Sequence, residues 1–157
     1  MDSHGRLWSE LGALLRGLKD LNSHAIEESG VRVELAGVTV LGRLALLGPA
    51  RLTELSGSLG LDPSSVSRQV SALERSGYVT REPDPSDGRA TRLLLTPAGQ
   101  QVVDTVHTAR AAGLVRLTPG WSDKDVDRLT GLIARLNHDV ATHRHLLDPA
   151  ATAQESA

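Results

Sequence analysis

Between Leu61 and Tyr78 the chain reads Leu-Asp-Pro-Ser-Ser-Val-Ser-Arg-Gln-Val-Ser-Ala-Leu-Glu-Arg-Ser-Gly-Tyr, a stretch rich in small hydroxyls with two guanidinium groups. At helical spacing Ser64, Arg68, Ser71 and Arg75 fall on one face. Short side chains let a helix backbone approach a groove, a serine hydroxyl can bond a phosphate or a base edge, and a guanidinium can grip guanine or phosphate with two parallel hydrogen bonds. That chemistry suits the reading of nucleic acid. An ordinary solvated helix face would carry the same residues, so the neighbouring elements must decide.

The helix itself is well specified. Asp62 can accept hydrogen bonds from free first-turn amides, and Pro63 stands at the first helical position, where its missing donor is not needed. Leu61 and Val66 are spaced for a hydrophobic staple. Val66, Val70 and Leu73 lie within about 60° of one another around the axis and face a core. Gly77 offers the left-handed position that ends helices, and Tyr78 the apolar residue that folds back. Upstream, Leu52 to Leu59 forms a short helix with Leu52, Leu55 and Leu59 on one face, joined through Gly60-Leu61-Asp62 to the next: a helix-turn-helix. Glu34 to Leu47 is apolar enough to require burial on more than one side, and Gly48-Pro49 ends it. Downstream, Tyr78 to Glu82 and Thr91 to Leu95 read as two strands of a hairpin. The segment Pro83 to Ala90 reads as a solvent-projecting loop, with Arg89 near its tip and Arg92 on the return strand.

Helices flank this unit. Leu7, Leu11, Leu14, Leu15, Leu18, Leu21 and Ala25 repeat at helical spacing beside Trp8, giving roughly six turns before Glu28-Ser29-Gly30. Thr96-Pro97 starts another helix, with Val102, Val103, Val106, Ala109, Leu114 and Leu117 as its apolar side. Ser122 to Asp125 forms a variant capping box for a last helix. There Val126, Leu129, Ile133, Leu136 and Val140 alternate by three and four, as in a seam against another helix. We assign residues 1–30 and 97–147 to helices of an intertwined dimer and 34–96 to the central unit; the tail 148–157 has nothing to bury and is expected to lack fixed structure.

Composition narrows the class. With 157 residues the chain holds one domain and an oligomerisation element at most. It has no cysteine, which excludes disulfides and thiolate chemistry. No signal peptide or membrane span is legible, so a cytoplasmic location is the expectation. The formal charge of −2 does not announce a nucleic-acid binder. Affinity for DNA must therefore come from placed arginines rather than a basic field.

The order and spacing of Gly48-Pro49 through Leu59, Ser64 to Val70, Leu73 to Val79, Asp84-Pro85-Ser86-Asp87-Gly88-Arg89 and Leu95-Thr96-Pro97-Ala98-Gly99 resemble the winged helix-turn-helix of the MarR (multiple antibiotic resistance regulator) family. The resemblance implies a mainly α fold with a small β-hairpin wing, flanked by N- and C-terminal dimerisation helices. It further implies a homodimeric transcription factor, a repressor in the family's usual mode, needing no cofactor and nucleoid-associated when bound to double-stranded DNA. Carried over, Ser64, Ser65, Ser67, Arg68 and Gln69 would contact the major groove and phosphates, with Arg75 on the same outward face. Arg89 would be the wing arginine of an Asp-x-Arg signature, and Asp87 would brace the wing through a salt bridge. Arg92 is either a phosphate contact or a strand-surface arginine. Gly88 and Ala90 stand where the family often has an arginine and an acid, leaving one positive charge fewer at the wing. A small-molecule effector would bind where the first, second and fifth helices meet, near His24, Arg43, His107 and Arg110.

Other readings remain at this stage. His138, His143 and His145 near the C-terminus, with His4 and His24, raise a zinc-responsive regulator. However, His143 and His145 would point about 200° apart on one helix. No G-x-S-x-G elbow, P-loop, G-x-G-x-x-G turn or H-E-x-x-H pair occurs, so no enzyme is indicated. A winged helix that binds protein would be expected to expose apolar anchors where this one has Ser64, Arg68, Arg75 and Arg89.

Overall fold

The computed structural model describes residues 2–143. Its elements are α1 (Ser3–Ser29), α2 (Leu35–Leu47), α3 (Leu52–Leu59), α4 (Pro63–Arg75), β1 (Val79–Asp84), β2 (Asp87–Leu95), α5 (Pro97–Leu117) and α6 (Asp123–Thr142). The chain divides into two compact units, residues 1–116 and 117–157, the second described as far as His143. The expected tail 148–157 and His145 lie outside the described residues.

In the first unit, α2, α3, α4 and the hairpin close around one core. Val40, Leu41 and Leu44 meet Leu55, then Val66, Val70 and Leu73, then Val79 and Leu93. The face of α4 that the apolar spacing marked is the face buried. Asp62 accepts from the Ser65 amide at 3.0 Å, and its carboxylate also takes the Ser64 hydroxyl. Burial of Val66 does not come from a staple, because Leu61 remains 52% exposed; the α2–α3 core covers Val66 instead. At the other end Gly77 adopts φ 76°, the Tyr78 amide donates to Leu73 O at 2.9 Å and the Gly77 amide to Glu74 O at 3.0 Å. Those two bonds form a Schellman cap, which turns the chain directly into β1.

The hairpin departs from expectation. Both strands run further than the sequence suggests, pairing from Val79↔Leu95 to Asp84↔Asp87, so the anticipated eight-residue loop shrinks to Pro85-Ser86. Asp84 causes this by folding its carboxylate over the turn, accepting from the Ser86 amide at 2.8 Å and the Ser86 hydroxyl at 2.6 Å. The link before α3 joins the sheet as well, since Ala50 and Leu93 exchange backbone hydrogen bonds of 3.2 and 2.8 Å.

Thr96 ties α5 to the end of α4. Its hydroxyl donates to Gly77 O at 2.6 Å and accepts from the Gly99 amide at 3.1 Å, while its own amide donates to Tyr78 O at 3.1 Å. Gly99 is pressed so closely against the Tyr78 carbonyl that a Cβ there would collide with the oxygen. Beyond this joint Val102 and Val106 are buried, but Leu114 is 47% exposed, so the apolar side anticipated for α5 is covered only over its first half.

Helix α1 runs 27 residues, longer than the apolar stripe, because Asp2 caps it through the Gly5 amide at 2.7 Å. Only Ala25 and Ile26 of α1 are buried, and Trp8 is 78% exposed. In the second unit, Ser122 and Asp125 form the expected reciprocal cap of α6, with bonds of 3.1 and 3.3 Å. No residue of α6 is buried. No helix among the described residues is long and apolar enough to cross a membrane.

Replacing Gly99 with alanine should destabilise the protein by about 1–3 kcal/mol, the usual range for forced overpacking. Urea unfolding of the Gly99→Ala variant measures this; an unchanged midpoint would show that the α4–α5 joint tolerates a Cβ.

Candidate nucleic-acid interface

Helix α4 presents Ser64, Arg68 and Arg75 to solvent, with Ser65, Ser67 and Gln69 half-buried beside them. The N-terminal turn is preorganised by its own cap. Hydrogen bonds from the Ser64 hydroxyl and the Ser65 amide lower the Asp62 pKa below the ordinary carboxylate value, keeping the cap ionised. Arg68 Nη2 donates to Ser65 Oγ at 3.2 Å, a weak tether that leaves the rest of the guanidinium available.

Two ion-pair systems hold the hairpin against the helices. Arg81 of β1 reaches Glu74 of α4 at 3.1 Å. Arg51, at the N-cap of α3, places Nε 2.7 Å from Asp84 and Nη2 3.7 Å from Asp87, while its amide donates to Glu54 at 2.7 Å. Asp87 thus stands near a bracing arginine, but the shorter contact belongs to Asp84, which is only 6% exposed. Sequence reasoning missed Arg51 and Asp84. The available signal was an arginine at an N-cap, where a hydroxyl or carboxylate is usual.

These pairs sort the charges of the central unit. Residues 51–92 contain six arginines and six acids. Glu74, Asp84 and Asp87 are taken by Arg51 and Arg81, Asp62 and Glu54 by helix starts, and Asp87 also accepts from the Arg89 amide at 3.1 Å. Arg68, Arg75, Arg89 and Arg92 make no ion pair among the described residues, and Arg68, Arg75 and Arg89 are exposed. Arg92 is half-buried, with its Nε shielded from solvent and lacking an acceptor. An electrically neutral segment therefore displays positive charge.

A cavity of 450 Å³ lies within the first unit, lined by Asn22 of α1, Thr39 and Arg43 of α2, and Val103, His107 and Arg110 of α5. Arg110 Nε is buried without a hydrogen-bond partner, and burial pulls its pKa below the ordinary arginine value. His24 does not line this cavity; its Nε2 is 3.3 Å from Glu28 on the same helix. Among the described residues no three His, Asp or Glu side chains converge as a metal site, and His143 Nδ1 lies 2.9 Å from Asp139 O.

The Asp84 carboxyl is held well below the usual carboxylate range, first by the Ser86 hydroxyl and then by Arg51. A depressed folded-state pKa adds stability that is present above the unfolded value, about 3.9, and lost as pH falls through the folded one. The wing should therefore stay clasped at pH 4 and above and loosen only in stronger acid. Carboxyl NMR titration should find Asp84 titrating far below its neighbours, with an upward move in Arg51→Ala that stops short of the ordinary value because Ser86 remains. An ordinary titration in the parent would remove the clasp from the account.

Comparison with known proteins places this geometry. The sequence profile of the MarR family matches residues 34–91. The HTH-type transcriptional regulator YxaD of Bacillus subtilis is 33% identical over 105 residues, covering 67% of this chain and 73% of YxaD. The crystal structure of transcriptional regulator Tm0710 from Thermotoga maritima superposes with a TM-score of 0.67 at 26% identity, over 90% of this chain and 98% of that one. The apo form of MarR from E. coli shares the fold, with a TM-score of 0.65 at 22% identity over 80% of this chain and 95% of that one. With Arg68 on a capped helix and Arg89 on a braced hairpin, the chain belongs to the MarR family of winged-helix, DNA-binding transcriptional regulators.

Proposed function

We propose that the protein is a homodimeric repressor of the cytoplasm that occupies a pseudo-palindromic operator and leaves it when a small molecule binds. The observation that carries this reading is the set of unpaired arginines, Arg68, Arg75, Arg89 and Arg92, in a segment whose acids are committed elsewhere. In this reading α4 enters the major groove, where Ser64, Ser65, Ser67, Arg68 and Gln69 meet base edges and phosphates. The hairpin carries Arg89 to the adjacent minor groove, and Arg75 and Arg92 contact phosphates.

The exposed apolar residues support the dimer. Leu7, Trp8, Leu14 and Leu15 on α1, and Val126, Leu129, Ile133 and Val140 on α6, are all at least 40% exposed. A contiguous apolar surface of that kind calls for a partner, and two-fold symmetry supplies it with a second copy. Two recognition helices then read half-sites about one helical turn, ~10 base pairs, apart. The 450 Å³ cavity between α1, α2 and α5 is the effector site in this account, with Arg110 as the cation facing the ligand. A ligand wedged there changes the spacing of the two reading helices, and DNA and effector share one coupling energy.

Arg68→Ala should weaken operator binding by about 1–3 kcal/mol and relax sequence preference, as expected when a base contact is lost. Arg89→Ala should weaken binding and flatten its salt dependence. Fluorescence anisotropy on dimeric variants measures both. Parent-like binding by both variants would mean that the reading surface lies elsewhere.

A further inference from the structure

We propose that Arg32, outside the helix-turn-helix and wing, is a further DNA contact that grips a backbone phosphate beside the recognition helix. The inference rests on the reading that α4 enters the major groove. Arg32 lies in the short link between α1 and α2, where Val31 and Val33 on either side of it pack against the core and Arg32 itself is exposed. The link thus uses its apolar residues as anchors and leaves the guanidinium outside. Arg32 lines a groove of 380 Å³ whose opposite wall is α4, through Arg68, Gln69 and Ser76. Glu34 lines the same groove, yet it forms no ion pair with Arg32 and no side-chain cap on α2. Arg32 makes no ion pair among the described residues.

A helix seated in the major groove has a sugar-phosphate strand along each flank, because the groove is about 12 Å wide and a helix with its side chains nearly fills it. A cation across a groove from Arg68 and Gln69 therefore meets a strand rather than a base edge. Such a contact fixes the register of the helix and carries no sequence information of its own. Arg68 reads, and Arg32 sets where it reads.

The test is the salt dependence of binding by the full-length dimer to two labelled duplexes of equal length, one carrying its selected operator and one scrambled. For Arg32→Ala, affinity should fall by the same factor on both duplexes. The slope of log K against log salt should shrink by about 0.9, the value for one phosphate contact. Arg32→Lys, which keeps the charge, should retain the parent slope. An unchanged slope in Arg32→Ala, or a loss confined to the operator duplex, overturns the assignment. A parent that fails to discriminate the two duplexes overturns the underlying DNA-reading instead, so the two failures are distinguishable.

Discussion

The contact between Arg51 and Asp84 spans 33 positions of sequence and sets the geometry of the DNA-binding unit. Asp84 is one of two buried polar or charged residues among those described, and it is satisfied twice, by the Ser86 turn and by the guanidinium at the start of α3. A buried carboxylate left unpaired would be strongly unfavourable, so the hairpin is held to the arginine that neutralises it. Because Arg51 also begins α3, the wing is referred to the helix-turn-helix itself. The angle of the wing relative to α4 is thereby a property of the folded unit, and Arg81 with Glu74 secures it from the opposite strand.

The same arrangement resolves the charge paradox of the sequence. A net charge of −2 argues against a general attraction to nucleic acid. What matters is which charges remain after internal pairing. Acids are spent on helix starts and on bracing arginines, whereas Arg68, Arg75 and Arg89 stay exposed and unpaired. Affinity then depends on a few placed contacts. This favours discrimination between sequences over indiscriminate adhesion to any duplex.

Local signals in the chain were read well because their causes are local. Asp62-Pro63 opens α4 and Gly77 closes it, since capping and the left-handed turn depend only on residues within one helical turn. The limits of α3 followed in the same way from its leucine spacing and Gly60. The hairpin was misjudged because Pro83, Asp84, Pro85 and Gly88 look like loop residues. Only the long-range contact to Arg51 shows that Asp84 ends a strand and folds over a two-residue turn. For the same reason the clasp itself was invisible. Helical periodicity marked the apolar faces of α1 and α6 without telling whether their cover comes from the same chain or another. Of the residues expected around the cavity, Arg43, His107 and Arg110 line it, while His24 turns along α1 to its i+4 neighbour Glu28.

The measurement that tests the central claim most directly is selection of genomic fragments by the purified full-length protein at about 150 mM salt, near physiological ionic strength. The account predicts enrichment of one pseudo-palindrome with half-sites about 10 base pairs apart, bound roughly 10³-fold or more tightly than bulk DNA. Recovery of fragments without a shared motif, or of none above background, would contradict a sequence-reading dimer.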